Sequence, residues 1–427
     1  MAKSPLILAA LAKDAVRHVD FVQVKSLNAG TDGAFDTALL TATTGEHYVV
    51  RIANTQSAGV EQDVELQALR ALGTAGRQAL PFKITNLIGE TKDDNGSRAL
   101  IFDFVYGSPI DVNRVHAESE LARSIGLAVA SIHKLPLATV ENAHLAEFEP
   151  EQILRARTAE LDKIAATGKV SPILLSRWEA AIEDSTFFRF QPTVVHGALN
   201  GDTVLEEDGR QVAGVLAWSS LRISDPAEDL AWIMASEHDE FIDAVFAAYS
   251  ASRGSADASL RQRATLYSEL ELGRWLLHGL NKGDQLIIDD AIAMLTTVAE
   301  NVEAGLIGNL TAAPFVSPVI QESLEQSFAG IEPDDHLEVI EIKDEASAPV
   351  AADVAISIAT DDEFETVSLL TAPIEIVELE SDETELEVVE LEVVELEADD
   401  SAAVVAQPVD DKTRPIELPE KTDNELF

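Results

Sequence analysis

The chain has 427 residues, of which 46% are hydrophobic, so it is long enough to bury a sizeable core and to form two or three structural units. Its net charge of −46 repels the phosphates of nucleic acids and of anionic lipids, so we expect neither nucleic acid nor membrane as a partner. There is no cysteine, which excludes disulfides, thiolate metal sites and cysteine nucleophiles.

The first predicted element is an amphipathic helix that starts in the apolar run 5–12. Lys13, Asp14 and Arg17 follow this run too soon for a membrane span, and the same charges argue against a cleaved signal peptide. We therefore expect the protein to be cytoplasmic.

The next hundred residues predict a small antiparallel sheet. Short apolar runs rich in Val, Ile, Leu and Phe are separated by turn residues, and they predict strands at 21–24, 37–40, 48–52 and 99–102. Between the third and fourth runs, segment 60–72 places its apolar residues at helical spacing. The expected unit is a sheet with one helix laid on it.

Helical spacing prevails after the connector at 102–107. Predicted helices cover 119–133, 150–166, 172–184, 227–252, 258–280 and 284–307. The exception is a β-like pair, 192–195 and 211–216, joined by 197–209. The pattern predicts an α+β protein with a β-rich lobe (1–104) and a helical lobe (105–312), and a cleft between two such lobes is the natural ligand site.

The last segment, 313–427, is acidic and of low complexity. Residues 331–427 hold 31 Asp or Glu against 4 Lys or Arg, and a five-residue Glu-Leu-Glu-Val-Val repeat begins at Glu385. Such charge density opposes a packed core, so we expect a disordered tail. Its repeats offer a segment that can order on an unknown protein partner.

Three segments carry a family resemblance. They are Val-Val-His-Gly-Ala-Leu-Asn-Gly-Asp-Thr-Val-Leu from Val194, Gly-Val-Leu-Ala-Trp-Ser from Gly214 and Ser-Asp-Pro-Ala-Glu-Asp-Leu-Ala-Trp from Ser224. They resemble the catalytic and metal-binding segments of the aminoglycoside and macrolide phosphotransferases, with macrolide kinases the nearer group. The resemblance covers about 21–300 and implies a two-lobed protein-kinase-like fold.

The resemblance also implies a nucleotide site in the β-rich lobe. Arg51 stands where the family presents a basic residue to the nucleotide phosphates, and Glu65 matches the helix glutamate that pairs with it. The loop containing Gly30 and Gly33 would cover the phosphates of ATP or GTP, although two glycines are a weak signal.

Three polar positions of the family pattern are altered. The family uses one Asp as the proton acceptor, and a second Asp with an Asn as ligands of Mg²⁺. Here these positions are Ala198, Ala217 and Thr203 respectively. Because alanine has no polar side-chain atom and a neutral hydroxyl is a weak ligand for a hard cation, the sequence argues against a Mg²⁺ site.

Neighbouring polar residues have simpler interpretations. Asp202 is the candidate that would have to replace the lost carboxylate. His196 is expected to support its loop by hydrogen bonding, while Asp225 and Asp229 are expected to satisfy free backbone N–H groups at the start of a helix. No His, Asp or Glu spacing predicts a zinc site.

Three functions follow as hypotheses. The leading one is a pseudokinase that binds a nucleotide or small molecule in the cleft, or takes part in a regulated protein interaction. The first alternative is an active phosphotransferase that moves a phosphate from ATP or GTP to a small-molecule hydroxyl. The second is a scaffold that binds no nucleotide. The sequence leaves open whether the chain is an enzyme.

Overall fold

The computed structural model describes residues 3–27, 33–184, 186–254 and 257–311. The acidic segment 313–427, predicted to be a disordered tail, lies outside these ranges, as does Gly30. Within the ranges, no helix combines the length and apolar character needed to cross a membrane.

The N-terminal lobe is built on a five-stranded antiparallel sheet. Its strand order is β1-β2-β3-β5-β4, with bounds Phe21–Ser26, Phe35–Ala42, His47–Ala53, Arg98–Asp103 and Leu87–Lys92 in that order. The four strands predicted from the sequence are confirmed. Strand β4 was not predicted, because its mixed sequence alternates only weakly between apolar and polar residues.

Two helices pack on this sheet. Helix α1, Pro5–Ala15, places Leu8 and Ala12 in a small core against the sheet, which confirms the predicted opening helix. Helix α2, Gln56–Ala79, contributes to the larger core of the protein. Thr55 caps α2 because its Oγ1 accepts a hydrogen bond from Ala58 N at 3.1 Å.

The C-terminal lobe is mainly helical. In the described residues its α-helices are α3 Glu120–His133, α4 Ala138–Glu141, α5 Pro150–Ala166, α6 Pro172–Glu183, α7 Asp239–Arg253, α8 Leu260–Lys282 and α9 Gln285–Glu303. Short 3₁₀ segments cover Trp218–Ser220 and Pro226–Ala235. The core between these helices includes the fully buried side chains of Trp178 and Trp218.

One predicted helix is wrong. Segment 227–252 is not continuous, because a 3₁₀ segment ends at Ala235 and α7 starts only at Asp239. Tertiary hydrogen bonds fix the break: Ser236 Oγ donates to Val112 O at 3.2 Å, and His238 Nε2 lies 3.1 Å from Asn113 O. Local apolar spacing does not contain this information.

The two predicted β-like segments, 192–195 and 211–216, are confirmed as strands, but their pairing with each other is wrong. Strand β7, Thr193–Val195, pairs with β10, Arg222–Ser224, whereas β9, Gln211–Val215, pairs with β8, Val204–Glu207. A short strand β6, Ser108–Pro109, pairs with β8 and extends the sheet formed by β8 and β9. Asp208 and Gly209 join β8 to β9 with φ of 55° and 66°, the left-handed backbone that Asp-Gly hairpins favour.

Candidate functional site

The segment from His196 to Thr203, which we call the 196–203 loop, joins β7 to β8. Asn200 Oδ1 accepts hydrogen bonds from Asp202 N and Thr203 N, both at 2.9 Å. Ile110 N donates to Gly201 O at 2.7 Å and ties the loop to the chain after β6. The loop therefore has a defined shape that does not depend on a ligand.

Thr203 stabilises this loop conformation. Its Oγ1 accepts a hydrogen bond from Asn200 N at 2.9 Å and lies 3.2 Å from Asn200 O. The residue is buried, with 4% of its surface exposed. Because the hydroxyl oxygen already contacts the backbone of its own loop, it is poorly placed to add the ligand that an asparagine amide would extend into the cleft.

Ala217 has the most unusual backbone of the site. Its φ of 61° and ψ of 58° lie in the left-handed region, which Asp and Asn enter more readily than Ala. The position thus keeps a backbone suited to an aspartate while its side chain is a methyl group. Ala198, in the 196–203 loop, also carries a methyl group where the family pattern has an aspartate but has no positive φ, and both alanines are partly exposed.

His196 is a buried structural residue in this arrangement. Its Nδ1 accepts from Ala198 N at 3.3 Å, so the proton belongs on Nε2, which donates to Leu216 O at 2.9 Å. The ring packs edge-on against Trp218 with centroids 4.7 Å apart. Burial lowers the pKa of His196, which favours the neutral imidazole that these contacts require.

Asp229 anchors the start of the 196–203 loop. Its Oδ2 accepts from His196 N and its Oδ1 from Gly197 N, both at 2.7 Å, and His133 Nε2 lies 3.1 Å from Oδ2. Burial alone would raise the pKa of Asp229, but the hydrogen bonds and nearby imidazoles lower it below the usual value. The sequence did not predict this role, since Asp229 was interpreted as a helix-start residue.

Asp225 holds a second buried network. It accepts from Ala227 N at 2.9 Å, as expected of a residue that starts a helical segment. It also pairs with the fully buried guanidinium of Arg263, with Nε 2.7 Å from Oδ2, and accepts from Tyr267 Oη at 2.7 Å. These contacts occupy the carboxylate inside the lobe.

Arg222 packs behind Gly197. Its guanidinium donates to Ser220 O at 2.9 Å and to Glu228 Oε2 at 2.7 Å, and it lies 3.3 Å from Gly197 O. A Cβ on Gly197 would collide with this guanidinium, and the φ of +80° there also favours glycine. Glycine is therefore needed for the loop to pass so close to Arg222.

In the N-terminal lobe the structure brings Arg51 of β3 and Glu65 of α2 together as an ion pair. The Arg51 guanidinium lies over the rings of Phe35 and Phe102, 4.7 and 5.6 Å from their centroids. On α2, burial raises the pKa of Glu61, and the charge of Arg51 opposes this effect. A cation is thus held at the position predicted for nucleotide phosphates.

Two other residues predicted to belong to the site, Gly33 and Asp202, have few contacts that indicate a role. Gly33 has a φ of +79° and has open space around its Cβ position. Asp202 is partly exposed and lies in the turn that Asn200 caps.

The side chains at the site do not fit a Mg²⁺ ion. Ala198 and Ala217 supply no oxygen, and Thr203 supplies a hydroxyl that already contacts its own loop. Over the described ranges, no three side chains of the Asp, Glu, His and Cys types come together in a metal-binding group. Mg²⁺ prefers carboxylates together with phosphate oxygens.

The sheet lobe with its Arg–Glu pair, the connector and the helical lobe with the 196–203 loop define a protein-kinase-like phosphotransferase fold. A family model described as the phosphotransferase enzyme family, APH, matches residues 26–262. The chain belongs to this family.

Individual relatives agree with this assignment. The chain is 29% identical over 263 residues to viomycin phosphotransferase from Streptomyces vinaceus, a match that covers 58% of this chain and 87% of that protein. A shorter match, 21% identical over 110 residues, covers 26% of this chain and 36% of the uncharacterized protein YcbJ from Bacillus subtilis (strain 168). The chain thus spans about a third of the length of that second relative.

Solved structures share the fold. The apoenzyme of macrolide 2'-phosphotransferase MphH from Brachybacterium faecium superimposes with a TM-score of 0.56 at 23% identity, covering 68% of this chain and 98% of that one. The GDP complex of aminoglycoside 2'-phosphotransferase-IIIa gives a TM-score of 0.58 at 18% identity, covering 70% and 99% respectively. At these identities the similarity concerns the fold alone.

Proposed function

We propose that this member of the phosphotransferase family is a pseudokinase, which binds a nucleotide or another small molecule between its lobes without transferring phosphate. The observation that carries the proposal is the contrast within the site. The side chains of His196, Asn200, Thr203 and Asp229 hold the 196–203 loop by hydrogen bonds, while Ala198, Thr203 and Ala217 provide no carboxylate. A general base typically contributes 10²–10⁴-fold to the rate, and loss of metal ligands adds to that deficit.

Nucleotide binding itself is supported by the N-terminal lobe. Arg51 is held by Glu65 and by two aromatic rings, so a phosphate would meet an oriented cation rather than a mobile one. Because the site has no built set of Mg²⁺ ligands, we expect ATP or GTP to bind with an affinity that does not depend on Mg²⁺.

Back-substitution tests the proposal. In the full-length chain, Ala217→Asp combined with Thr203→Asn supplies two oxygen ligands at positions whose backbone is already set. Calorimetric titration with ATP and GTP should show Mg²⁺-independent binding to the wild type and at least about tenfold tighter binding with Mg²⁺ in the double variant. Ala251→Asp, on an exposed position of α7, adds a carboxylate away from the site and is the matched control.

Transfer is measured in the same preparations, with viomycin, a macrolide and an aminoglycoside as acceptors because relatives act on such compounds by name. We expect no phosphate transfer above background for the wild type. Metal-dependent transfer that Asp202→Asn abolishes would refute the pseudokinase and establish the active phosphotransferase. If neither ATP nor GTP binds, the alternative that the protein is a scaffold without a nucleotide site would be favoured.

Three further proposals rest on the sequence. They are the division into units at about residues 104 and 312, a protein partner for the acidic segment 313–427, and a cytoplasmic location. Pull-down with the full-length chain, compared with one ending at residue 312, tests the second.

A further inference from the structure

A second pocket, independent of the proposed function, lies on the C-terminal lobe beside α7. It has a volume of about 530 Å³ and is lined in part by Phe188, Arg189, Phe190, Gln191, Tyr249 and Arg253. We call it the α7 pocket. None of its lining residues belongs to the 196–203 loop or to the Arg51–Glu65 pair, so it is distinct from the inter-lobe site. Its volume is in the range of small-molecule sites.

Arg253 makes no direct ion pair within the described residues. Its Nη2 donates to Thr193 Oγ1 at 3.2 Å, while its Nε is buried without an acceptor. Among the residues for which coordinates are described, no carboxylate forms an ion pair with Arg253. An arginine stays charged even when partly buried, so a missing counter-ion costs stability.

The acidic residues at the pocket do not fill this role. Asp257 contacts Arg263, which it shares with Asp225, and the Arg263 Nη2 lies 2.6 Å from its Oδ2. Glu151 is exposed in the first turn of α5. The pocket therefore presents a guanidinium that neither of these carboxylates contacts directly, and an added anion can pair with it.

Aromatic residues line the pocket beside this cation. The ring of Phe190 is fixed by the Arg263 guanidinium, 4.6 Å from its centroid. Phe188 and Tyr249 are buried in the core and present part of their surface to the pocket. An apolar body next to an arginine favours a ligand that has an oxyanion on an apolar frame.

Two hydrogen-bonded chains link the pocket to the 196–203 loop. Tyr249 Oη lies 2.8 Å from His133 Nδ1, and His133 Nε2 lies 3.1 Å from Asp229, which accepts from the loop backbone. Arg253 donates to Thr193 Oγ1, which donates to His133 O at 2.6 Å. Both chains pass through His133, so a ligand on Arg253 or Tyr249 acts on the residue that supports Asp229.

We propose that the α7 pocket binds a small organic oxyanion, a carboxylate or phosphate on an apolar body, with Arg253 as its ligand. Binding there steadies the 196–203 loop through His133 and Asp229. The site is a second ligand site, separate from the cleft between the lobes.

The test uses the full-length chain with benzoate and phenyl phosphate as probes and neutral benzamide as their matched control. We expect saturable binding of at least one anion by calorimetry or NMR, at least about tenfold tighter than benzamide, because only the anions pair with the guanidinium. The tighter of the two anions identifies carboxylate or phosphate as the natural group. Arg253→Gln should weaken the anion at least about tenfold, while Arg210→Gln, on an exposed turn, should not.

Three results would overturn the proposal: no saturable binding of either anion, benzamide binding as tightly as the anions, or unchanged binding to Arg253→Gln. The benzamide comparison needs no variant, so it decides the matter even if Arg253→Gln folds poorly. Hydrogen exchange at the amides of His196 and Gly197, which donate to Asp229, should slow when the pocket is saturated. Unchanged exchange there would refute the link to the loop.

Discussion

Replacement of Ala217 by glycine should stabilise the protein. Ala217 has a φ of 61°, where the Cβ of an L-residue approaches its own carbonyl oxygen. The surrounding contacts impose this geometry: Trp218 Nε1 donates to Val215 O at 2.9 Å on one side, and Leu216 O lies 2.9 Å from His196 Nε2 on the other. Glycine accepts the same backbone without the clash.

The magnitude follows from two opposing terms. Relief of the left-handed backbone gains about 1–2 kcal/mol. The greater freedom of glycine in the unfolded chain costs about 0.5–1 kcal/mol. The net expectation for Ala217→Gly is a gain of about 0.5–1 kcal/mol, which in a chain of this size raises the melting temperature by roughly 1–2 °C.

Ala198→Gly is the matched control, because Ala198 is also partly exposed and lies in the neighbouring loop but does not have a positive φ. Ala198→Gly increases the freedom of the unfolded chain but relieves no backbone strain in the folded protein. It should therefore lower the free energy of unfolding by about 0.5–1 kcal/mol. Thermal unfolding of both full-length variants measures the difference, expected at about 3 °C. If Ala217→Gly is destabilised as much as Ala198→Gly, the backbone strain inferred at Ala217 is wrong.

Two other predictions concern buried charges. Asp225→Asn removes the fully buried one of the two carboxylates that pair with Arg263 and should cost roughly 3 kcal/mol in denaturant unfolding, whereas Asp243→Asn, which breaks an exposed ion pair, should cost less than about 1 kcal/mol. Burial lowers the pKa of His196 below 6.5, so the unfolded chain takes up its proton first and stability falls as the pH drops below about 6.5, by up to about 1.4 kcal/mol per pH unit. His196→Gln should therefore flatten the stability profile between about pH 7 and 5, and a profile as steep as that of the wild type would exclude His196 as the cause.

The sequence predicted the sheet lobe well because its strands and helix are periodic and local. The opening helix and the first three strands follow one another in chain order, so apolar alternation suffices to place them. The pairing in the C-terminal lobe depends instead on contacts between distant segments. Strand β7 has only three residues, and nothing in them specifies that β10, rather than β9, is its neighbour.

At the site, the sequence predicted the altered positions but not all of the residues that hold the loop in place. The family pattern led directly to Ala198, Thr203 and Ala217, because these are defined by their spacing from His196 and Trp218. It assigned Asp229 to a helix start, since an Asp three residues after Pro226 fits that role equally well. Only the fold shows that its carboxylate reaches back to the 196–203 loop.

Two of the three altered positions, Ala198 and Ala217, are not among the residues whose side chains hold the loop, and this separation explains how the loop keeps its shape. Asp229 and His196 are buried polar groups, and removal of one partner from such a contact costs about 1–3 kcal/mol or more. They are therefore maintained by stability alone, whether or not the site performs chemistry. Ala198 and Ala217 are partly exposed and hold nothing, so their side chains are free to differ without loss of the fold. An intact 196–203 loop thus shows that the fold is maintained, and only side chains that face the cleft bear on catalysis.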